Sequence, residues 1–133
     1  MSVVTDPLAD YLTRVRNGLA AQHDSVEVPA SRLKREVSRI LTEQGYITGF
    51  TVEPTAAGEV IKVDLRYTEA RRPVISGLRR VSRPGRRHYV NSGEIPRVQG
   101  GMGTAIVSTS SGVMTGHEAK QKGVGGEVVA FIW

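Results

Sequence analysis

The sequence predicts an α+β protein: an N-terminal α-β-α-β-β lobe followed by a mainly β C-terminal lobe with short helices. Three observations carry that expectation. Apolar residues recur at helical spacing in two early stretches, they alternate with charged residues over 61–67, and the composition shifts abruptly over 68–73. With 133 residues the chain suits one domain or two small lobes sharing an interface. The shift places the boundary after residue 68, giving an N-terminal α/β lobe over 1–68 and a mainly β lobe over 69–133.

Asp6 and Pro7 mark the first helix, Asp6 as N-cap and Pro7 in the first turn. Leu8, Leu12, Val15 and Leu19 follow at helical spacing with Tyr11 on their face, and Arg14 and Asn17 lie away from that stripe. A short strand over 26–29 comes next. Ser31 caps a second helix that buries Leu33, Val37, Ile40 and Leu41, and Gly45 stops it. Two strands, 46–52 and 60–67, are joined by the turn-rich Pro54-Thr55-Ala56-Ala57-Gly58. In the second, Ile61, Val63, Leu65 and Tyr67 alternate with Lys62, Asp64 and Arg66, the pattern of a half-buried strand.

The second half reads mostly as strands. Segments 78–82 and 86–90 flank the turn signal Pro84-Gly85 and predict a hairpin with Arg80 and Ser82 on one face, opposite Val81. Gly100-Gly101-Met102-Gly103 is a tight turn into a strand over 104–109, after which Ser110-Ser111-Gly112 turns the chain. Thr115 and Glu118 form a capping box, so a short helix runs from Gly116 towards Lys122. Gly123, Gly125 and Gly126 end it, and 127–133 is a closing strand with Trp133 packed on the C-terminal lobe.

Charge narrows the function. Residues 1–66 carry eight Lys/Arg against nine Asp/Glu, a net of −1; residues 67–133 carry ten against four, a net of +6. Seven arginines fall between Arg71 and Arg87 with no acid among them. That is the footprint of a polyanion partner rather than a basic surface kept for solubility. Of the 18 basic residues 14 are Arg, whose planar fork suits phosphate and bases, although an arginine-rich codon preference would give the same count.

Catalytic classes find little to stand on. There is no cysteine, hence no disulfide or thiolate metal site, which is consistent with a reducing compartment. His23, His88 and His117 lack ligand spacing, so no metal is expected. No Gly-x-Ser-x-Gly elbow occurs, and no Lys-Ser/Thr follows a glycine-rich loop. The 100–103 glycines precede a strand instead of opening a helix, so they lack a phosphate-cradling geometry. A small hydrolase built on the glycine loops is the rival reading, and it would require nucleotide turnover. The expectation is a non-enzyme with no cofactor and no small-molecule substrate. The longest apolar run, 128–133, is far too short to span a bilayer and no leader pattern opens the chain, so the expectation is a cytoplasmic protein without a membrane partner.

Binding rests on three features. In the arginine-rich hairpin Arg86 and Arg87 would meet phosphates, and Tyr89 would pack on a sugar or base, unless it is simply a half-buried strand residue. In Ser108-Thr109-Ser110-Ser111-Gly112, small hydroxyls donate and accept and Gly112 permits close approach; alone, the segment is also an ordinary polar turn. In Gly123-Val124-Gly125-Gly126-Glu127 the glycines let backbone approach something, and Glu127 accepts from nearby hydroxyls; a helix stop explains Gly123 but not the other two. A single-strand or DNA binder is disfavoured, because two Phe and one Trp make a poor stacking platform and a hydroxyl-rich loop suits 2′-hydroxyls.

Residues 108–115 followed by Lys122-Gly123-Val124-Gly125-Gly126-Glu127 closely resemble the C-terminal signature of the bacterial small-subunit ribosomal protein eight family. Residues 6–17, 28–34 and 81–85 resemble that family's other blocks, in its order and over almost the whole chain. The resemblance implies two lobes and a structural, rRNA-binding role at an irregular stem in the central domain of 16S rRNA, helping to assemble the platform of the small (30S) subunit. Implied neighbours are small-subunit proteins five and twelve. Carried over by motif, Ser108, Thr109, Ser110 and Gly112 would contact bases and ribose with support from Glu127. Arg86, Arg87, Tyr89 and Lys122 would flank them, and Ser31 and Arg32 would make the N-lobe's contact. Two positions depart from the family. Ser111 replaces a longer polar or basic side chain, and Gly116 replaces the usual Asp, a change expected to weaken the short helix by roughly 0.5–1 kcal/mol.

Overall fold

The computed structural model describes residues 6–133. The chain is α+β, with two compact units: Asp10–Ser76, and Gly77–Trp133 together with the described residues up to Ala9.

Helix α1 (Pro7–Ala20) begins where its cap predicts, with the Ala9 N–H donating to Asp6 Oδ1 at 3.2 Å. Leu8, Tyr11, Leu12, Val15 and Leu19 are all buried. Strand β1 (Ser25–Pro29) leads to α2 (Arg32–Glu43), whose N-cap Ser31 accepts the Lys34 N–H at 3.2 Å. Val37, Ile40 and Leu41 are buried, but Leu33 is only half-buried. Lys34 is buried beside it; its ammonium donates to the Pro29 carbonyl at 2.8 Å, and desolvation pulls its pKa below the usual lysine range.

Strands β2 (Ile47–Thr55) and β3 (Gly58–Leu65) run further into the expected loop, leaving only Ala56 and Ala57 as the turn. The Thr55 hydroxyl closes it, donating to the Gly58 carbonyl at 2.5 Å and accepting the Ala57 N–H at 3.3 Å. The antiparallel sheet has the order β1-β3-β2, so Pro54 sits on an edge strand, where its missing N–H does no harm. Ile61, Val63 and Leu65 are buried as their alternation predicts. Residues 68–73 form a closed turn: Thr68 N–H donates to the Arg72 carbonyl at 2.8 Å, and Tyr67 bridges Pro73.

In the second unit, β8 (Gly126–Ile132) organises five antiparallel strands. On one side it pairs β6 (Thr104–Thr109), which pairs β7 (Gly112–Thr115). On the other it pairs β4 (Leu78–Arg80) and β5 (Tyr89–Val90), one after the other. The hairpin expected of segments 78–82 and 86–90 is therefore not a ladder between them. Only Arg83 and Arg86 exchange backbone hydrogen bonds, at 3.1 and 2.9 Å, around Pro84-Gly85. Both segments instead satisfy their backbones on β8.

One face of this sheet presents Ala105, Val107 and Met114 to Ala119 of α3 (Gly116–Lys122) and to Ile95 and Val98, which flank two short 3₁₀ turns (Ser92–Glu94 and Gln99–Gly101). The α3 cap is as predicted: Thr115 Oγ1 accepts the Glu118 N–H at 3.2 Å, and Gly123 ends the helix at φ +67°. Gly116 is not simply a weakened helix position. It is buried, and a Cβ there would meet Ile95 Cγ2 at 2.8 Å and Ala105 Cβ at 3.3 Å, so the packing has no room for a larger side chain. Trp133 packs on this core, its indole lying where a Cβ at Gly77 would be.

Candidate nucleic-acid interface

Residues directly opposite one another in an antiparallel ladder share a face. Glu127 lies opposite Tyr89 on one side and Ser108 on the other, so β5, β8 and β6 set Tyr89, Glu127 and Ser108 in one row. That row is on the face away from Val107 and α3. Tyr89 is 71% exposed, so of its two readings the half-buried strand residue is the wrong one.

The row begins beside a basic loop. Ser82 N–H donates to the Val128 carbonyl at 3.1 Å and Val128 N–H to the His88 carbonyl at 2.9 Å, pinning both ends of the loop to β8. Between them, Gly85 at φ +80° follows Pro84, the conformation a tight turn with Pro first and Gly second requires. Arg83, Arg86 and Arg87 are exposed on it. Ser82 is fully buried; its hydroxyl donates to the Glu127 carboxylate and accepts the His88 N–H at 3.2 Å. Arg87 donates to the same carboxylate at 3.0 Å. Glu127 therefore braces the basic loop, not the 108–112 turn it was expected to hold.

That turn shapes itself. Thr109 Oγ1 donates to the Gly112 carbonyl at 2.8 Å and accepts the Ser111 N–H at 3.0 Å, so the Thr109 hydroxyl is spent internally. Ser110 is exposed at the tip, and Ser108 is half-buried in the row. Gly112, at φ +114°, has open space where a Cβ would stand. Gly125 and Gly126 have a different purpose: side chains there would run into the Val90 and Ser108 carbonyls, so these glycines admit the protein's own strands. Lys122 is exposed at the end of α3, the helix covering the opposite face.

Ser31 and Arg32 lie in the other unit, in a shallow cleft with Ala30, Arg35 and Glu59. The Ser31 oxygen is occupied as an N-cap, leaving its proton available, and Arg32 is exposed. No group of three or more His, Asp or Glu suited to a metal occurs among the described residues.

The sequence profile of the family described as Ribosomal protein S8 matches residues 6–133. The chain belongs to the ribosomal protein S8 family. It is 54% identical to the small ribosomal subunit protein uS8 of Lactobacillus acidophilus, over 98% of this chain and 99% of that one. It is 51% identical to the protein of the same name from Corynebacterium jeikeium, over 98% of each, and 49% identical to that of Thermodesulfovibrio yellowstonii, over 98% of this chain and all of the other. Within this S8 chain, sequence reasoning passed over Ser82 and Arg83 as site residues. The pinning of Ser82 is a non-local event, invisible until β4, β5 and β8 are paired.

Proposed function

We propose that this chain binds an irregular stem in the central domain of 16S rRNA and helps assemble the platform of the small subunit, with small-subunit proteins five and twelve as neighbours. As a ribosomal S8 protein it is a structural constituent of the ribosome and not an enzyme, and its place is the small subunit in the bacterial cytoplasm. One observation carries the finer reading: a single sheet face lines up an exposed Tyr89 with the half-buried Glu127 and Ser108, with a pinned arginine loop beside one end and an open hydroxyl turn beside the other. In this reading Arg86 and Arg87, joined by Arg83, meet phosphates and position the RNA; Lys122 adds an outer phosphate contact. Tyr89 offers its ring to a base or sugar. Ser108 and Ser110 read base edges or 2′-hydroxyls, the open backbone at Gly112 lets the groove come close, and Thr109 keeps the turn in shape. Ser31 and Arg32 make a separate contact from the N-terminal lobe.

The test compares an in vitro transcript of the 16S central domain with an unrelated RNA duplex of equal length, at two salt concentrations. Losing one hydrogen bond at a desolvated contact costs ~1–3 kcal/mol. Ser110→Ala is therefore expected to weaken transcript binding roughly ten- to a hundredfold while barely changing duplex binding or the salt dependence. A folded Ser110→Ala chain that binds the transcript as tightly as the parent makes the loop an ordinary turn and sinks the assignment.

A further inference from the structure

The cleft around Ser31 contains a cation that neither the family blocks nor the charge run singled out. Arg32 and Arg35 stand three residues apart on α2, which puts them on one helix face, and both line the cleft with Ala30, Ser31 and Glu59. Arg35 Nη2 donates to Glu59 Oε1 at 2.8 Å, with the two side chains 45% and 57% exposed. The Ala30 N–H donates to the Glu59 carbonyl at 2.9 Å, so the backbone itself holds Glu59 at the cleft wall.

We infer that Arg35 is a further phosphate-binding residue of this cleft, exchanging Glu59 for the RNA backbone when RNA binds. The inference rests on the RNA-binding reading given above. An ion pair this exposed is screened by water and holds its arginine weakly. Arg35 meets Glu59 through one oxygen, whereas a backbone phosphate can accept the guanidinium fork through two and its binding also releases condensed counterions. Nearby cations are less available. Arg39, further along α2, is clamped between Glu36 at 2.9 Å and Glu43 at 3.0 Å, and Lys34 is buried on the Pro29 carbonyl. Arg32 supplies a second cation in the same cleft, and Ser31 can donate its unspent hydroxyl proton to the same phosphate.

The experiment uses the full chain and the central-domain transcript, measured by filter binding across a salt series. Arg35→Gln should lower the slope of log affinity against log salt by about one and weaken binding roughly three- to tenfold at ~0.1 M salt. Arg35→Lys should keep the slope, because the charge remains. Arg39→Gln should leave both quantities near the parent's. An unchanged slope in folded Arg35→Gln, with the parent still preferring transcript over unrelated duplex, overturns the inference alone. An equal fall in Arg39→Gln also overturns it, since the effect would then be the general field of α2. A parent with no preference for the transcript removes the RNA-binding reading itself.

Discussion

Ser38 has one hydroxyl proton, and it goes to the Lys34 carbonyl at 2.8 Å. The fully buried Tyr11 phenol, 2.8 Å from the Ser38 oxygen, must then be the donor in their pair. Burial pushes the Tyr11 phenol from 10.0 up to about 12. A raised folded pKa means the neutral phenol belongs to the folded chain, so this stability is fully present below pH ~10 and is lost as pH rises towards ~12. At pH 11 the parent should have lost roughly 1–2 kcal/mol on this account. Tyr11→Phe has no such loss, so its deficit against the parent in urea unfolding at pH 8 should shrink by about that amount at pH 11. A deficit that stays constant between the two pH values removes the argument. Tyr11 on the buried stripe was legible from spacing alone. Its partner was not, because Ser38 reads as a polar helix residue until α1 and α2 are set against one another. The same limit applied to Thr109 and Glu127, whose residue types announced hydrogen bonding but not with whom.

Helices were the most legible elements, since caps and stripes are local. Asp6, Ser31 and Thr115 each cap where their sequence context places a start. Strand pairing was less legible. Segments flanking Pro84-Gly85 have the sequence of a hairpin, but pairing with the apolar β8 satisfies their backbones at the sheet edge, and only the Arg83–Arg86 closure survives. The glycines before β8 carried this information in a form that needed coordinates to decode. A Cβ at Gly126 would stand against the Ser108 carbonyl and 3.1 Å from Thr109 Cα, both backbone atoms that cannot rotate away. Gly126→Ala should therefore cost about 1–3 kcal/mol, as overpacking does. It should also weaken transcript binding by prising β6 from β8. Gly49→Ala is the control, for a Cβ there meets nothing within 4 Å and the residue has no positive φ. It should be neutral or slightly stabilising. Equal urea midpoints for Gly126→Ala and Gly49→Ala would show that the close approach does not govern the sheet.

Across the whole chain, the run of seven arginines looked uncompensated because no acid lies among them in sequence. In space three of them meet one: Arg71 with Asp24 at 3.5 Å, Arg87 with Glu127 at 3.0 Å, and Arg80 with Asp6 at 3.1 Å. Only the Arg80 pair is sheltered, so Arg80 leaves the polyanion footprint, while the half-exposed Arg71 and Arg87 are held weakly and stay in it with Arg83 and Arg86. Residue 68 marked the composition shift, but contacts carry the first unit to Ser76 and gather the described residues up to Ala9 with Gly77–Trp133. The Asp6–Arg80 pair, 74 residues apart, ties that discontinuous unit together. Arg80 is only 10% exposed and also donates to the Val129 carbonyl at 2.8 Å, which leaves it unsuited to phosphate. Asp6→Asn keeps an oxygen to cap α1 but removes the countercharge from a largely buried guanidinium, and should cost about 2–4 kcal/mol in urea unfolding. Adding Arg80→Met should restore part of that loss, because a buried pair replaced by apolar bulk is often nearly neutral. The double variant should keep the parent's salt slope on the transcript, whereas neutralising Arg83 and Arg86 should lower it by about two. An Asp6→Asn chain as stable as the parent would show the pair to be dispensable. A slope that falls in the Arg80 variant would return Arg80 to the RNA-binding surface.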